Sequence, residues 1–288
     1  MTENYFDGRL AVLGAGVMGT SITAMAIGHG VPVTLIDIDG DRLSPAREEV
    51  GEQLRMARLM NALPTGREPG PLTTSSSADA AAGATVVIEA ITELAEEKGK
   101  VLADVAAVVS EGTPLVSNTS AIPIDELAGA VSRPADLAGV HFMNPAYLIP
   151  MVEVVRGPRS SERTMTAVTR LLTALGRRPV VVGDGPGFVT SRVLHRMLND
   201  AIRVVEEGRA TPEAVDDLFQ GCLGHRTGPL RTADLIGLDN LADSLRVLAE
   251  RTGDEGCRPC GLLLEKVARG DLGRKSGRGF YDYGGRTS

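Results

Sequence analysis

A histidine and a glutamate twelve residues apart are the first pair in this chain that could do chemistry. His141 closes a short apolar run (AGVH), and Glu153 sits inside another (PMVEVV). A carboxylate within so apolar a strand needs a partner, because burying it alone costs several kcal/mol. The nearest titratable candidate is His141, and a histidine held by a carboxylate is a general base for a hydroxyl proton. Ser117-Asn118-Thr119-Ser120 ends a third β-rich run, and Asn144 follows His141 in HFMNP. Spacing alone leaves alternatives open. A histidine taken at random is more often structural than catalytic, and SNTS could be a turn whose Thr119 or Ser120 caps the next helix. His29, His195 and His225 are read as structural. Cys257 and Cys260 form C-x-x-C without the second pair a zinc site needs, and read as ordinary cysteines near a helix start.

The second constellation binds rather than reacts. Gly14-Ala15-Gly16-Val17-Met18-Gly19 fits G-x-G-x-x-G. The first glycine permits a tight turn, the second lets backbone approach a pyrophosphate, and the third lets the helix pack on its strand. The free N–H groups at the helix start then face the phosphates. Asp37 ends the next apolar run, 18 residues after Gly19. An acid there accepts hydrogen bonds from the ribose hydroxyls and repels a 2′-phosphate, which favours NAD over NADP. The alternative is a strand-to-helix turn with no ligand. Asp39, close by, is given no role.

These residues must be held by strands and helices in alternation. Apolar or β-rich runs at 9–13, 31–37, 85–89, 114–117, 138–141, 151–155 and 179–182 read as strands. Helical spacing follows the glycine loop and recurs at 40–60, 93–109 and 161–175, and residues 64–77 read as a Pro/Gly/Ser/Thr loop. Such alternation is the pattern of an open parallel sheet wrapped by helices, whose strand C-termini face the ligand crevice. After Asp184-Gly185-Pro186-Gly187 the patterns at 188–207, 211–221, 237–251 and 260–268 are helical, with no convincing strand. The expected fold is α/β: a Rossmann-like doubly wound sheet over 1–185, then an all-helical C-terminal domain over 186–288.

Composition narrows the classes further. Of 288 residues 43% are hydrophobic and 23% charged, enough apolar material for packed cores and against a disordered chain. No apolar run reaches the ~18 residues of a membrane span. The start, MTENYFDGR, is too polar and acidic for a secretory signal. Three cysteines suit a reducing, cytoplasmic setting rather than a disulfide framework. A net charge of −7 and 3% aromatics argue against nucleic acid as a partner.

Taken in order, GAGVMG, Asp37, VIEAITE, SNTSAIPI, HFMNP, MVEVV, PGFVTSR, GPLRTADLIGLD and KSGRGFYDY closely resemble the L-3-hydroxyacyl-CoA dehydrogenase family, the group of the 3-hydroxybutyryl-CoA dehydrogenases. The resemblance runs from about residue 8 to 283. It implies a Rossmann-like domain, a helical domain through which members form homodimers, and NAD-dependent oxidation of the 3-hydroxyl of an acyl thioester, or the reverse. By resemblance His141 is the base and Glu153 the acid that orients it. Ser120 contacts substrate, and Asn144 lies near the nicotinamide. Glu93, Lys98 and Lys275 match cofactor contacts, as does Asn118 of the SNTS run.

Two departures stand out. Where the family pattern reads P-G-F-[IV]-x-N-R, this chain has Ser191 in place of the active-site asparagine. The segment 41–77 lacks lysine and mixes Arg47, Arg55, Arg58 and Arg67 with acids, unlike the lysine-bearing arm of members that use coenzyme A. An acyl carrier protein could present the same thioester, as in the oxidation of a glyceryl thioester during extender-unit biosynthesis in natural-product pathways. Two competing functions are a dehydrogenase of free hydroxy acids, like the gulonate dehydrogenase branch, and a non-catalytic NAD-binding protein.

Overall fold

The computed structural model describes residues 6–284. Residues 1–5 of the N-terminal stretch read above as too polar for a leader lie outside the described residues. The chain divides into two compact units after Gly185.

The first unit is built on eight strands: β1 (Leu10–Leu13), β2 (Val33–Ile36), β3 (Leu72–Ser75), β4 (Val86–Glu89), β5 (Leu115–Ser117), β6 (Leu137–His141), β7 (Met151–Arg156) and β8 (Arg178–Gly183). They lie in the order β3-β2-β1-β4-β5-β6-β7-β8. The helices are α1 (Val17–Gly28), α2 (Leu43–Leu59), α3 (Ala95–Val108), α4 (Ile124–Ala128) and α5 (Glu162–Ala174). β1 and β4 are buried along their whole length, which is why they read as unbroken apolar runs. α1 is buried almost all round, because its Thr, Ser, Ala and Gly side chains let it lie close on the sheet. The core joins β1, β2, β4 and β6 to α1 and α5 through Val12, Ile22, Met25, Leu35, Val140 and Leu171.

Three local expectations are corrected. The loop at 64–77 contains β3, a four-residue edge strand paired in parallel with β2. Its sequence LTTS is half-exposed, so it carries no apolar signal. The sheet is not wholly parallel, since β7 runs antiparallel to β6. Between Asn118 and the β6 strand lies the short helix α4; its N-terminal N–H groups at Ile124 and Asp125 donate to the two carboxylate oxygens of Asp184, each at 2.8 Å. Neither Thr119 nor Ser120 caps that helix.

The second unit packs α6 (Thr190–Glu206), α7 (Pro212–Leu223), α8 (Pro229–Ile236), α9 (Leu238–Thr252) and α10 (Gly261–Ala268) around Leu198, Ile202, Leu230, Leu241, Leu245 and Leu263. α8, within GPLRTADLIGLD, goes beyond the helices read from the sequence. Asp234 and Asp216 are buried and tie the C-terminal segment to these helices. Asp234 accepts from the Phe280 and Tyr281 N–H groups and the Tyr283 hydroxyl, and Asp216 accepts from the Tyr281 hydroxyl. Burial, together with the Asp216 contact, holds the Tyr281 phenol far above its ordinary range. Among the described residues no helix is long and apolar enough to cross a membrane, and no cluster of His, Cys, Asp and Glu could hold a metal ion.

Candidate active site

The antiparallel pairing of β6 and β7 brings the two chemical residues together. His141 and Glu153 are direct register partners, so their side chains stand on the same face of adjacent strands. Imidazole Nδ1 lies 2.8 Å from Glu153 Oε2, and both residues are buried, at 6% and 7% exposure. A carboxylate can only accept, so Nδ1 carries the hydrogen and the basic lone pair of the neutral ring falls on Nε2. The pair is thereby set up for taking a proton at Nε2, with the carboxylate able to stabilise the imidazolium that forms.

The parallel strands end along one edge of the sheet. Leu13 is paired with both Ile36 and Glu89, and Glu89 in turn with Ser117. The glycine turn, Asp37, the SNTS run and His141 therefore follow successive strand ends. Gly14 has φ +99°, and a side chain there would strike the Ala90 carbonyl oxygen at 2.6 Å. At Gly19 a Cβ would lie 1.8 Å from the Gly14 carbonyl oxygen, so the start of α1 cannot sit against the turn with any larger residue. Gly16 differs: a Cβ there would meet only the Arg42 guanidinium, at 4.0 Å. Its lack of a side chain is not required by protein packing, and the space it leaves opens onto the first turn of α1. Gly16 is the N-cap of that helix and supplies no side-chain cap, while Val17 is exposed. Met18 packs partly against the core. Asp37 is buried beside the turn, its Oδ2 accepting from the Ala15 N–H at 2.7 Å and its Oδ1 from the Asp39 N–H at 3.0 Å. This cradle fits a dinucleotide: N–H groups for a pyrophosphate and a fixed carboxylate for ribose hydroxyls. Asp39, left without a role above, accepts from the Asp41 N–H and caps a short 3₁₀ turn.

A buried ionic cluster holds the SNTS turn. The Lys98 ammonium lies 2.6 Å from Glu89 Oε1, 3.2 Å from Glu93 Oε2 and 3.1 Å from the Ile91 carbonyl oxygen. Glu89 also accepts from the Ile91 N–H at 2.7 Å and the Ser117 hydroxyl at 2.6 Å. Glu93 Oε1 accepts from the Thr119 hydroxyl at 2.6 Å, the Ser120 N–H at 2.8 Å and the Ala121 N–H at 3.1 Å. Burial would raise the Glu93 carboxyl, but the Lys98 charge and these hydrogen bonds outweigh it and hold the group below the usual carboxylate range. Glu93 remains 38% exposed at its side chain. Lys98 is only 1% exposed, and its ammonium contacts Glu89, Glu93 and the Ile91 carbonyl.

Asn118 and Asn144 occupy the neighbouring loops. Asn118 Oδ1 accepts from the Phe142 N–H at 3.0 Å, locking the end of β5 to the residue after His141. Asn144 is exposed and precedes Pro145 through a cis peptide bond. Two anchors that sequence reading missed hold its loop. Ser21 Oγ accepts from the Ala146 N–H, and the buried Arg177 guanidinium donates to the carbonyls of Ala146, Tyr147 and Ile149. The buried Ser21 within an apolar helix was a signal available in the sequence; Arg177 gave none. His29, whose Nδ1 is 2.9 Å from the Met25 carbonyl oxygen, is a buried helix-end residue. Burial, outweighing that contact, lowers its pKa.

Ser191 and Lys275 belong to the second unit. Ser191 is buried in the first turn of α6, and the exposed Lys275 ammonium pairs with Asp239 at 2.5 Å.

Comparison with known proteins adds an independent observation. Residues 9–185 match the family model "3-hydroxyacyl-CoA dehydrogenase, NAD binding domain", and residues 187–283 match "3-hydroxyacyl-CoA dehydrogenase, C-terminal domain". The chain is 39% identical to a probable 3-hydroxybutyryl-CoA dehydrogenase of Bacillus subtilis, over 97% of this chain and 99% of that protein. The fold is similar to that of FadB2 of M. tuberculosis (TM-score 0.91, 36% identity, 96% of this chain and 99% of that one). It is also similar to the (S)-3-hydroxybutyryl-CoA dehydrogenase PaaH1 of Ralstonia eutropha (TM-score 0.87, 36% identity, with the same coverage).

Proposed function

The chain belongs to the 3-hydroxyacyl-CoA dehydrogenase family of NAD-dependent oxidoreductases, and from that premise we propose that it oxidises the 3-hydroxyl of a short 3-hydroxyacyl thioester, of the 3-hydroxybutyryl-CoA kind. The observation that carries this reading is the buried His141–Glu153 pair at the strand-end edge that also bears the glycine turn. Bound NAD supplies the hydride acceptor. Gly14, Gly16, Gly19 and the first turn of α1 hold its pyrophosphate, and Asp37 its ribose. His141 takes the hydroxyl proton at Nε2, and Glu153 stabilises the resulting imidazolium without itself being protonated. Ser120, on the turn fixed by Glu93, hydrogen-bonds the reacting oxygen. General-base catalysis of this kind contributes roughly 10²–10⁴-fold. His141→Ala should lower turnover by about that factor while NADH still binds, and unchanged turnover would remove His141 from the mechanism.

A second reading rests on Ser191. A hydroxyl where the family pattern has an amide favours a small, polar acyl group, which an acyl carrier protein could deliver in extender-unit biosynthesis. Initial rates on coenzyme A and carrier-protein forms of one acyl group decide it, and a clear coenzyme A preference rejects it. Free hydroxy acids belong in the same screen, since turnover of those alone would place the protein with the gulonate dehydrogenase branch.

Assembly and setting complete the proposal. Val193, Val204 and Leu218 are exposed along a largely apolar groove of about 690 Å³ between α6 and α7. Exposed apolar patches mark association surfaces, which supports a homodimer formed through the helical unit. Light scattering at micromolar concentration tests it. The free cysteines Cys222, Cys257 and Cys260 accord with a reducing cytoplasm.

A further inference from the structure

The Glu89–Lys98–Glu93 cluster carries a consequence for cofactor binding that rests on the NAD reading and goes beyond it. Glu89 is the last residue of β4 and has no exposed surface. Both of its oxygens are covered by donors: Oε1 by the Ile91 N–H and Lys98, and Oε2 by the Ser117 hydroxyl. These donors satisfy both oxygens of the buried side chain. Lys98 in turn directs its ammonium at Glu89, Glu93 and the Ile91 carbonyl. Two carboxylates thus face one ammonium, and the cluster keeps one negative charge.

Its place in the sheet gives that charge a target. β4 adjoins β1 on the side opposite β2 and Asp37. In a doubly wound dinucleotide site the order of strands reverses there, so the adenosine half lies over β1 and β2 and the second nucleoside over the other side. Glu93 reaches the surface on that second side and fixes the turn that carries Ser120. Oxidised nicotinamide is positively charged and reduced nicotinamide is neutral. A fixed negative charge therefore stabilises the oxidised cofactor selectively.

We propose that Glu89 is a positioning residue that keeps this cluster at a net charge of −1 and so sets the protein's preference for oxidised over reduced NAD. Without its charge Lys98 would neutralise Glu93, and the cluster would carry no net charge.

The test uses the full-length protein without substrate. Dissociation constants for NAD⁺ and NADH are measured separately by calorimetry in the wild type, Glu89→Gln and Glu89→Asp. One unit of charge about a Debye length from a cationic ring, at an effective dielectric near 20, corresponds to about a tenfold change. Glu89→Gln should move the ratio of the two constants toward NADH by about that factor. Glu89→Asp keeps the charge and should keep the ratio even if both affinities fall. Should Glu89→Gln fail to fold, Glu93→Gln, nearer the surface, must shift the ratio the same way. An unchanged ratio in a folded charge-removing variant, or a shift of the same size in Glu89→Asp, overturns the inference while leaving the proposed function intact. A wild type that binds neither nucleotide overturns both.

Discussion

The sharpest consequence of the His141–Glu153 geometry is that the two residues act as one unit. Glu153→Gln keeps the size of the side chain and removes its charge. With Nδ1 and Oε2 at 2.8 Å, a full charge pair at an effective dielectric of about 20 is worth roughly 6 kcal/mol. If about half the positive charge has developed on the imidazole at the transition state, the loss is about 3 kcal/mol, or ~10² in kcat. A glutamine that turns its amide N–H₂ toward Nδ1 selects the wrong tautomer and enlarges the effect. The decisive assay is the double variant. His141→Ala alone removes the base, so adding Glu153→Gln should cost little more, because the carboxylate works only through the ring. Rates are followed by NADH absorbance with a short 3-hydroxyacyl thioester, and thermal unfolding confirms that each variant is folded. If the two losses multiply, Glu153 acts on something other than His141, and the mechanism argued from their pairing is wrong.

Other consequences follow from particular residues. Gly16→Ala meets no protein atom closer than about 4.0 Å, so it should melt like the wild type yet bind NADH at least ~10-fold more weakly, whereas Gly19→Ala, 1.8 Å from the Gly14 carbonyl, should lose stability itself; calorimetry and thermal unfolding separate the two. Asp37 should give NAD at least a ~10-fold advantage over NADP in kcat/KM, about 1.4 kcal/mol, and comparable rates would contradict its assignment to the ribose. Glu93 is held below its ordinary value of 4.5, so its stabilisation is complete above that pH and lost as pH falls through the lower folded value; melting temperatures between pH 7 and 3 should fall less steeply in Glu93→Gln, and parallel curves would show that the Lys98 contact is worth nothing to the fold. Ser191→Asn, restoring the family pattern, should raise turnover on coenzyme A thioesters relative to carrier-protein forms, and no change in that ratio would remove Ser191 from substrate choice.

Much of this frame was legible in the residues. The strand, glycine loop and helix from 10 to 28 follow from apolar runs, glycines and small side chains, and at Gly14 and Gly19 local sterics leave no room for anything larger. β3 was not legible, since a half-exposed edge strand with sequence LTTS looks like the loop around it. Glu89 closed the run read as a strand over 85–89, and Lys98 was expected at the cofactor. Only folding shows that they meet, and a contact between a strand end and the following helix leaves no periodicity. The caps show the same limit: the partner of the α4 N-terminus is Asp184, some sixty residues away along the chain, not the neighbouring SNTS turn.

The direction of β7 is the most instructive miss, because the chemistry depends on it. Alternating strands and helices suggested a sheet parallel throughout. Yet only nine residues, 142–150, join β6 to β7, and a parallel crossover needs a dozen or more. Connection length alone therefore demands an antiparallel pair. That constraint has a further result. In an antiparallel pair the residues flanking the connection face one another in register, so His141 at the end of β6 and Glu153 near the start of β7 become direct partners despite their separation in sequence. A helical crossover would have carried Glu153 one strand spacing away in the opposite sense, with its register set by a distant helix. The short Pro-containing loop, anchored by Ser21 and Arg177, is thus what turns a twelve-residue spacing into a 2.8 Å contact, and lengthening it by a single residue should misalign the pair and lower kcat more than it lowers the melting temperature.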